Sequence, residues 1–349
     1  MGPVSRGRAR QVGDSPITAA TSPIAVVSPS RIGPPVRLRA YDDRMRLRLG
    51  RPDLAAYADR FDVPAATAAS RPAVTFLGVS TLLVDDGTDA LLTDGFFTRP
   101  GLGAVALGRL APDPARIDAC LTRAGATRLA AVLPVHSHFD HVLDSAAVAE
   151  RTGAVLVGGE STANVGRGHG LPPERIVVAT PGEPLRFGGV TVTLVASEHC
   201  PPDRYPGTID APVVPPARAG SYRCGEAWST FVAHADGRSL LIQGSAGFRP
   251  GALVGRRAEV VYLGVGQLGV QSEEYIRSYW AETVGTVGAR RVVLVHWDDF
   301  FRPLDRPLRA LPYAGDDLDV TMRVLGRLAE RDGVELHLPQ VWRREDPWR

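Results

Sequence analysis

Leu129 to Val135 reads LAAVLPV, an unbroken apolar run, and it stops at His136-Ser137-His138-Phe139-Asp140-His141. The run has the length and composition of a buried β-strand. The hexapeptide after it is the densest group of histidines in a chain that has only 8 in 349 residues. At that frequency the pattern arises by chance on the order of once in a few thousand such chains. In an extended segment alternate side chains share a face, so His136 and His138 can grip one cation together, while Asp140 and His141 turn toward a neighbouring position. Imidazole and carboxylate are donors that zinc favours. A cation held there lowers the pKa of its water toward neutrality and so supplies hydroxide for attack on a carbonyl or phosphoryl centre.

Two more histidines stand where such a site needs them. His199 follows the β-type run Val190–Val195, and His296 ends the apolar run Val292–Val295. A strand that terminates in histidine delivers the imidazole to the sheet rim, where loops converge.

Further out, Val74–Leu77, Thr81–Val84 and Ala90–Thr93 are short β-type runs that read as an antiparallel meander. Ala154–Val157, Ile176–Ala179, Thr230–Ala233, Leu240–Gln243, Val260–Leu263 and Val334–Leu338 continue the strand series, with helical patterns between them. Ser272 before Glu273 and Glu274 marks a helix start, and Asp316 to Arg331 reads as a long helix. Two series of strands with interspersed helices predict an α/β fold of two sheets packed face to face, helices outside. Residues 1 to 36, rich in Ser, Pro, Gly, Ala and Arg, read as a disordered segment. Residues 37 to 70, with a short helical pattern around Leu54 to Phe61, read as an arm packed on the main domain, and residues 71 to 349 as that domain.

Composition narrows the function classes. The 40 basic and 38 acidic residues leave a formal charge of +2, with no dense basic run after the first fifty residues, so nucleic acid is not an expected partner. There is no lysine, which excludes Schiff-base chemistry. Cys120, Cys200 and Cys224 lack CxxC spacing and form neither a disulfide framework nor a zinc ribbon, although a single Cys200–Cys224 bridge stays open. With no apolar leader and no membrane-length apolar stretch, the expectation is a cytoplasmic protein acting on a small molecule.

Taken together, these residues resemble the metallo-β-lactamase superfamily over about Ala73 to Leu338. Phe76-Leu77-Gly78 through Leu91-Leu92-Thr93-Asp94-Gly95 also looks like the opening of that fold. The resemblance is closest to the branch containing ascorbate-phosphate lactonase and the N-acylphosphatidylethanolamine phospholipases D. It implies a four-layer αβ/βα sandwich of two mixed sheets with helices on the outer faces. It also implies two divalent cations, zinc by preference, at one edge: the first on His136, His138 and His199, the second on Asp140, His141 and His296. Asp140 would orient the nucleophile and accept its proton, and Asp94 would fix a ligand imidazole by a hydrogen bond. Trp228 and Trp297, with Asp298 and Asp299, flank this site and are candidates for shaping a substrate pocket. The carboxylate that stands at the His138 position in the family's oxygen-reducing diiron branch is missing here.

One departure matters. Where most of the family has a bridging aspartate after a Gly, this chain reads Gln243-Gly244-Ser245-Ala246-Gly247, with Ser245 at the aspartate position. Two outcomes follow: a pair of cations without that bridge, or a single cation. The leading expectation is a hydrolase of a lactone, lactam, amide or ester; a phosphodiesterase and a non-catalytic metal-binding module are the alternatives. Gly264-Val265-Gly266-Gln267-Leu268-Gly269 matches a dinucleotide fingerprint but reads as a loop at the rim of the site. His169 is placed in a Gly-rich surface loop, His234 at an exposed turn and His337 in the closing strand, all without function. Cys200 stands beside His199 as a candidate pocket residue, and the Pro-rich stretch 200–227 reads as a long loop suited to substrate selection.

Overall fold

A computed structural model of the chain describes Gly2 and residues 48 to 349. The expected disordered segment, Gly2 apart, and residues 37 to 47 of the arm fall outside the described residues.

The strands are β1 (Ala73–Phe76), β2 (Leu82–Asp85), β3 (Ala90–Thr93), β4 (Ala131–Leu133), β5 (Val155–Gly158), β6 (Ile176–Val178) and β7 (Pro184–Phe187), followed by β8 (Val190–Ser197), β9 (Ala227–His234), β10 (Ser239–Gln243), β11 (Val260–Gly264), β12 (Arg291–Val295), β13 (Glu335–His337) and β14 (Arg344–Glu345). The helices are α1 (Leu102–Leu107), α2 (Pro114–Ala124), α3 (Phe139–Val142), α4 (Ser145–Thr152), α5 (Glu160–His169), α6 (Glu273–Trp280) and α7 (Leu318–Asp332). One sheet runs β14-β1-β2-β3-β4-β5-β6 and the other β13-β12-β11-β10-β9-β8-β7. Both are mixed. β1 to β3 form the antiparallel meander, and β3 to β6 are parallel. β7 to β10 are antiparallel, and β10 to β13 are parallel.

Alternation along the first sheet explains how it is covered on both faces. Val84, Leu91, Ala131 and Leu133 point into the core shared with the second sheet. Their neighbours Leu83, Leu92 and Val132 point the other way, onto Ile117 and Leu121 of α2 and Ala146 and Val148 of α4. On the second sheet, every residue of β11 and β12 is buried, as expected of parallel strands covered on both sides. The covering there comes from Ile276, Tyr279 and Trp280 of α6 and Val324, Leu325 and Leu328 of α7. The result is the four-layer αβ/βα sandwich. Ser272 caps α6 by accepting from Tyr275 N, and α7, which starts two residues later than expected, is capped by Asp317 accepting from Val320 N.

Local readings need correction in a few places. Residues 166 to 170 are not a loop: they end α5, with Gly170 in the left-handed conformation at φ +94°. A Cβ on Gly166 would lie 2.8 Å from Leu156 Cδ2, so that glycine serves close packing. Leu54–Arg60 is a 3-10 helix, not an α-helix. The segment containing it is fastened to the core by Leu338 N donating to Arg60 O, Ala66 N to Arg344 O and Tyr57 Oη to Asp319. Cys120, Cys200 and Cys224 are all free and buried. Among the described residues, no helix is long and apolar enough to cross a membrane.

Candidate metal centre

The histidine-rich segment leaves β4 at the end of the first sheet. Val135 N donates to Asp94 Oδ1 over 2.9 Å, tying the exit of β4 to the exit of β3. His138 is still extended at φ −66°, ψ 154°, and caps the single turn of α3 that carries Asp140 and His141. The chain therefore does what the motif needs, an extended pair followed by a helical turn. His199 lies just past β8. His296 follows β12 with φ +61°, a conformation non-glycine residues rarely adopt, and its N–H donates to Val79 O over 2.6 Å. Val79, Asp94 and Arg99 are also left-handed, so strained backbone gathers around this site.

Two triads form side by side. The ligand atoms of His136, His138 and His199 lie within 4.8 Å of one another, and so do those of Asp140, His141 and His296. In the first, His136 Nε2 is 3.0 Å from His138 Nδ1. In the second, Asp140 Oδ2 is 3.7 Å from His141 Nε2 and 3.6 Å from His296 Nε2. The rings of His136 and His141, one from each triad, are 4.0 Å apart between centroids. All six residues that the motif reading singled out are thus brought together.

Neighbours set which nitrogen each ring presents. His141 Nδ1 donates to Asp94 Oδ2 over 2.9 Å, an oxygen that also accepts from Ser80 Oγ. His199 Nδ1 donates to Cys200 O over 2.6 Å. Ser245 Oγ accepts from Cys200 N over 3.0 Å, holding the backbone behind His199. Gly266 leaves room for the His296 ring, since a Cβ there would lie 2.7 Å from His296 Nδ1. That steric need, and not a nucleotide, accounts for this glycine of the dinucleotide-like stretch.

Protonation fits a cation-binding pair. Burial and the neighbouring imidazoles push His136 well below the usual histidine range. Burial lowers His138, and burial with the His138 charge pushes His199 down to about 4. Neutral rings keep lone pairs for coordination. Burial raises Asp140, but the charges of His141 and His296 outweigh it and hold the carboxyl well below its ordinary range. Burial lowers His141, yet Asp94 and Asp140 raise it overall, and carboxylates that favour a proton on that ring also favour a metal. His136 Nδ1, His141 Nε2 and His296 Nδ1 are buried without a hydrogen-bond partner. For His141 Nε2, which faces the Asp140 carboxylate, a cation would supply the missing partner. The donor set fits divalent metal.

Other expectations need revising. Trp228 and Trp297 are 4% and 3% exposed and belong to the main core, where Trp297 packs on Phe61 and Phe76. They do not wall a pocket. The aromatic side chains beside the triads are Tyr205, 6.2 Å from the His138 ring, and Phe300, 5.8 Å from the His296 ring. Asp298 is fully buried, accepts from Val79 N over 2.8 Å and pairs with Arg99, so it braces the strand ends. Asp299 pairs with Arg51 and Arg309. Cys200 is 1% exposed, and burial, with the Asp316 charge, pushes its thiol up to about 12, which leaves it inert. His169, His234 and His337 pair with Glu150, Asp236 and Asp62 instead of joining the triads; His234 is half-buried and not exposed. Asp203, 3.1 Å from His138 Nε2, went unread because it sits in a loop without periodicity. The histidine four residues before it was the only available signal.

The family model of the metallo-β-lactamase superfamily matches residues 74–218. No curated protein matches the chain. Among solved structures, Igni18, a metallo hydrolase from the hyperthermophilic archaeon Ignicoccus hospitalis, is similar at 15% identity and TM-score 0.45, over 77% of this chain and 95% of that one. A putative metal-dependent hydrolase from Parabacteroides distasonis is similar at 10% identity and TM-score 0.47, over 80% and 99%. CmlA, a diiron β-hydroxylase from Streptomyces venezuelae, is similar at 13% identity and TM-score 0.46, over 80% and 54%. Residues 74–218 thus match the metallo-β-lactamase superfamily, and the described residues form an αβ/βα sandwich of two mixed sheets. The match is to the superfamily and singles out no branch of it.

Proposed function

We propose that this protein is a zinc-dependent hydrolase that attacks the carbonyl carbon of a small lactone, lactam, amide or ester and cleaves its acyl C–O or C–N bond. The observation that carries the reading is the pair of triads, one all-imidazole and one containing a carboxylate, joined through His136 and His141. His136, His138 and His199 would hold one cation, and Asp140, His141 and His296 the other. When bound, such a pair supplies a water made acidic near neutral pH and an electrophile polarised for attack. Asp140, the carboxylate of the second triad, would accept a hydrogen bond from the attacking water and aim it; its strongly lowered pKa suits it to orienting a proton more than to storing one. Asp94 keeps His141 turned toward the site. Ser245 is engaged with Cys200 N, which supports a two-cation centre lacking a shared carboxylate from that position. Tyr205 and Phe300, whose rings lie beside those of His138 and His296, would give an incoming substrate aromatic surface to pack on, which favours an uncharged carbonyl substrate over a phosphodiester.

The test is zinc content and turnover on one preparation. Two zinc per chain, hydrolysis of simple lactones, esters or nitrocefin, and loss of that activity in His136→Ala are expected. One zinc per chain would leave a mononuclear enzyme. Turnover of bis-p-nitrophenyl phosphate alone would move the assignment to phosphodiesters, and no turnover of any of them with two zinc bound would overturn it.

A further inference from the structure

His138 is unusual among the imidazoles of its triad in having both nitrogens facing other groups. Nδ1 lies 3.0 Å from His136 Nε2, while Nε2 lies 3.1 Å from Asp203 Oδ1 and 3.4 Å from Tyr205 O. A carboxylate and a carbonyl only accept, so Nε2 carries the proton and Nδ1 the lone pair. We infer that Asp203 is a positioning residue of the metal centre: by accepting the Nε2 proton of His138 it fixes the tautomer and ring plane that present Nδ1 to the cation shared with His136 and His199. The inference rests on the metal-centre reading above and extends it to a residue of the 200–227 loop.

Asp203 is itself held in place. Its Oδ1 also accepts from Tyr205 N over 2.9 Å. Cys224 N donates to Tyr205 O and Gly225 N to Gly207 O, each over 2.9 Å, closing the loop on itself. Ser137 N, between the two ligand histidines, donates to Cys224 O over 2.8 Å and stitches that loop to the histidine segment. The Cys224 sulfur is within 4.8 Å of ligand atoms of both His138 and Asp203. The result mirrors Asp94 behind His141: each triad has one imidazole backed by a carboxylate, an arrangement that raises ligand basicity and sets ring orientation.

The decisive experiment is zinc affinity by competition with a chromophoric chelator, on the full chain and on Asp203→Asn, Asp203→Ala and Asp203→Glu. Asn keeps an oxygen for Tyr205 N, so it removes the charge while preserving the turn. The expected result is a loss of about 10-fold for Asn and up to about 100-fold for Ala in one of the two affinities, with partial recovery in Glu. In a His141→Ala background, where the first triad alone remains intact, Asp203→Asn should produce the same loss. Nitrogen-15 shifts of the metal-free chain should show His138 protonated on Nε2. Unchanged affinities in Asp203→Asn and Asp203→Ala, or His138 protonated on Nδ1, would overturn the inference alone. A wild-type chain that binds no zinc would overturn the metal-centre reading and the inference with it. An Asp203→Ala chain that fails to fold leaves the decision to Asp203→Asn.

Discussion

The two triads are built from different parts of the molecule. His141, on the helical turn after β4, and His296, at the end of β12, are backed by Asp94, Ser80 and Val79, all buried in the core. His138 and His199 are backed by the loop after β8, through Asp203, Cys200 O and, behind that, Ser245. One triad also carries a carboxylate and the other only neutral imidazole. The contrast implies one site set by the fold and a second set by a loop. Substitution should reach them through different routes, stability in one case and affinity in the other.

Asp94→Ala should break the comparison most severely. It leaves Val135 N without its acceptor and His141 without its partner, both buried, and should cost about 3 kcal/mol or more in urea unfolding together with the second cation. Acidification comes next, and it should weigh on the other triad. In the metal-free chain, His199 has its folded pKa depressed to about 4 from an ordinary 6.5, so the unfolded chain binds the extra proton first. Stability from this group is present above pH 6.5 and is lost as pH falls toward 4. The slope is at most about 1.4 kcal/mol per pH unit for each such imidazole. Thermal melting from pH 4 to 7 should show the decline, and His199→Ala should flatten it; an unchanged profile in that variant would argue against the assignment. Gly266→Ala sharpens the contrast, because a methyl 2.7 Å from His296 Nδ1 must displace that ring. Zinc affinity of the second site should fall about 10-fold or more while the first is spared, as calorimetric titration would show. Ser245→Ala should have the smallest effect, about 1 kcal/mol in denaturant unfolding from the lost acceptor of Cys200 N, with two zinc still bound. A drop to one zinc would mean that Ser245 does more than brace a loop.

How much of this could be read from the sequence follows from the same division. Ligands at strand ends announce themselves, because an apolar run that stops at a histidine combines two independent signals, as at Val135-His136 and Val295-His296. Both sheets were legible where period-2 or continuous apolar patterns are strong. β7 and β14 were not, since Pro184–Phe187 shows only half-buried residues alternating with exposed ones and Arg344–Glu345 is charged. Asp203 depends on how a Pro-rich loop folds back, which no local pattern encodes. Trp228 and Trp297 misled for a related reason: adjacency in sequence to a site says nothing about which face of a strand end a ring takes, and these two were drawn inward by the apolar area they bury.

The left-handed residues Val79, Arg99 and His296 are interlocked: His296 N bonds Val79 O, Val79 N bonds Asp298, and Asp298 pairs with Arg99; Asp94, also left-handed, accepts from Ser80, next to Val79, and from Val135 N. A backbone in so unfavourable a conformation relaxes once its restraints go, and here none can be released singly. In hydrogen–deuterium exchange the amides of Val79, Val135 and His296 should therefore open as one block, at a common free energy well above that of the loop amides of Cys224 and Gly225.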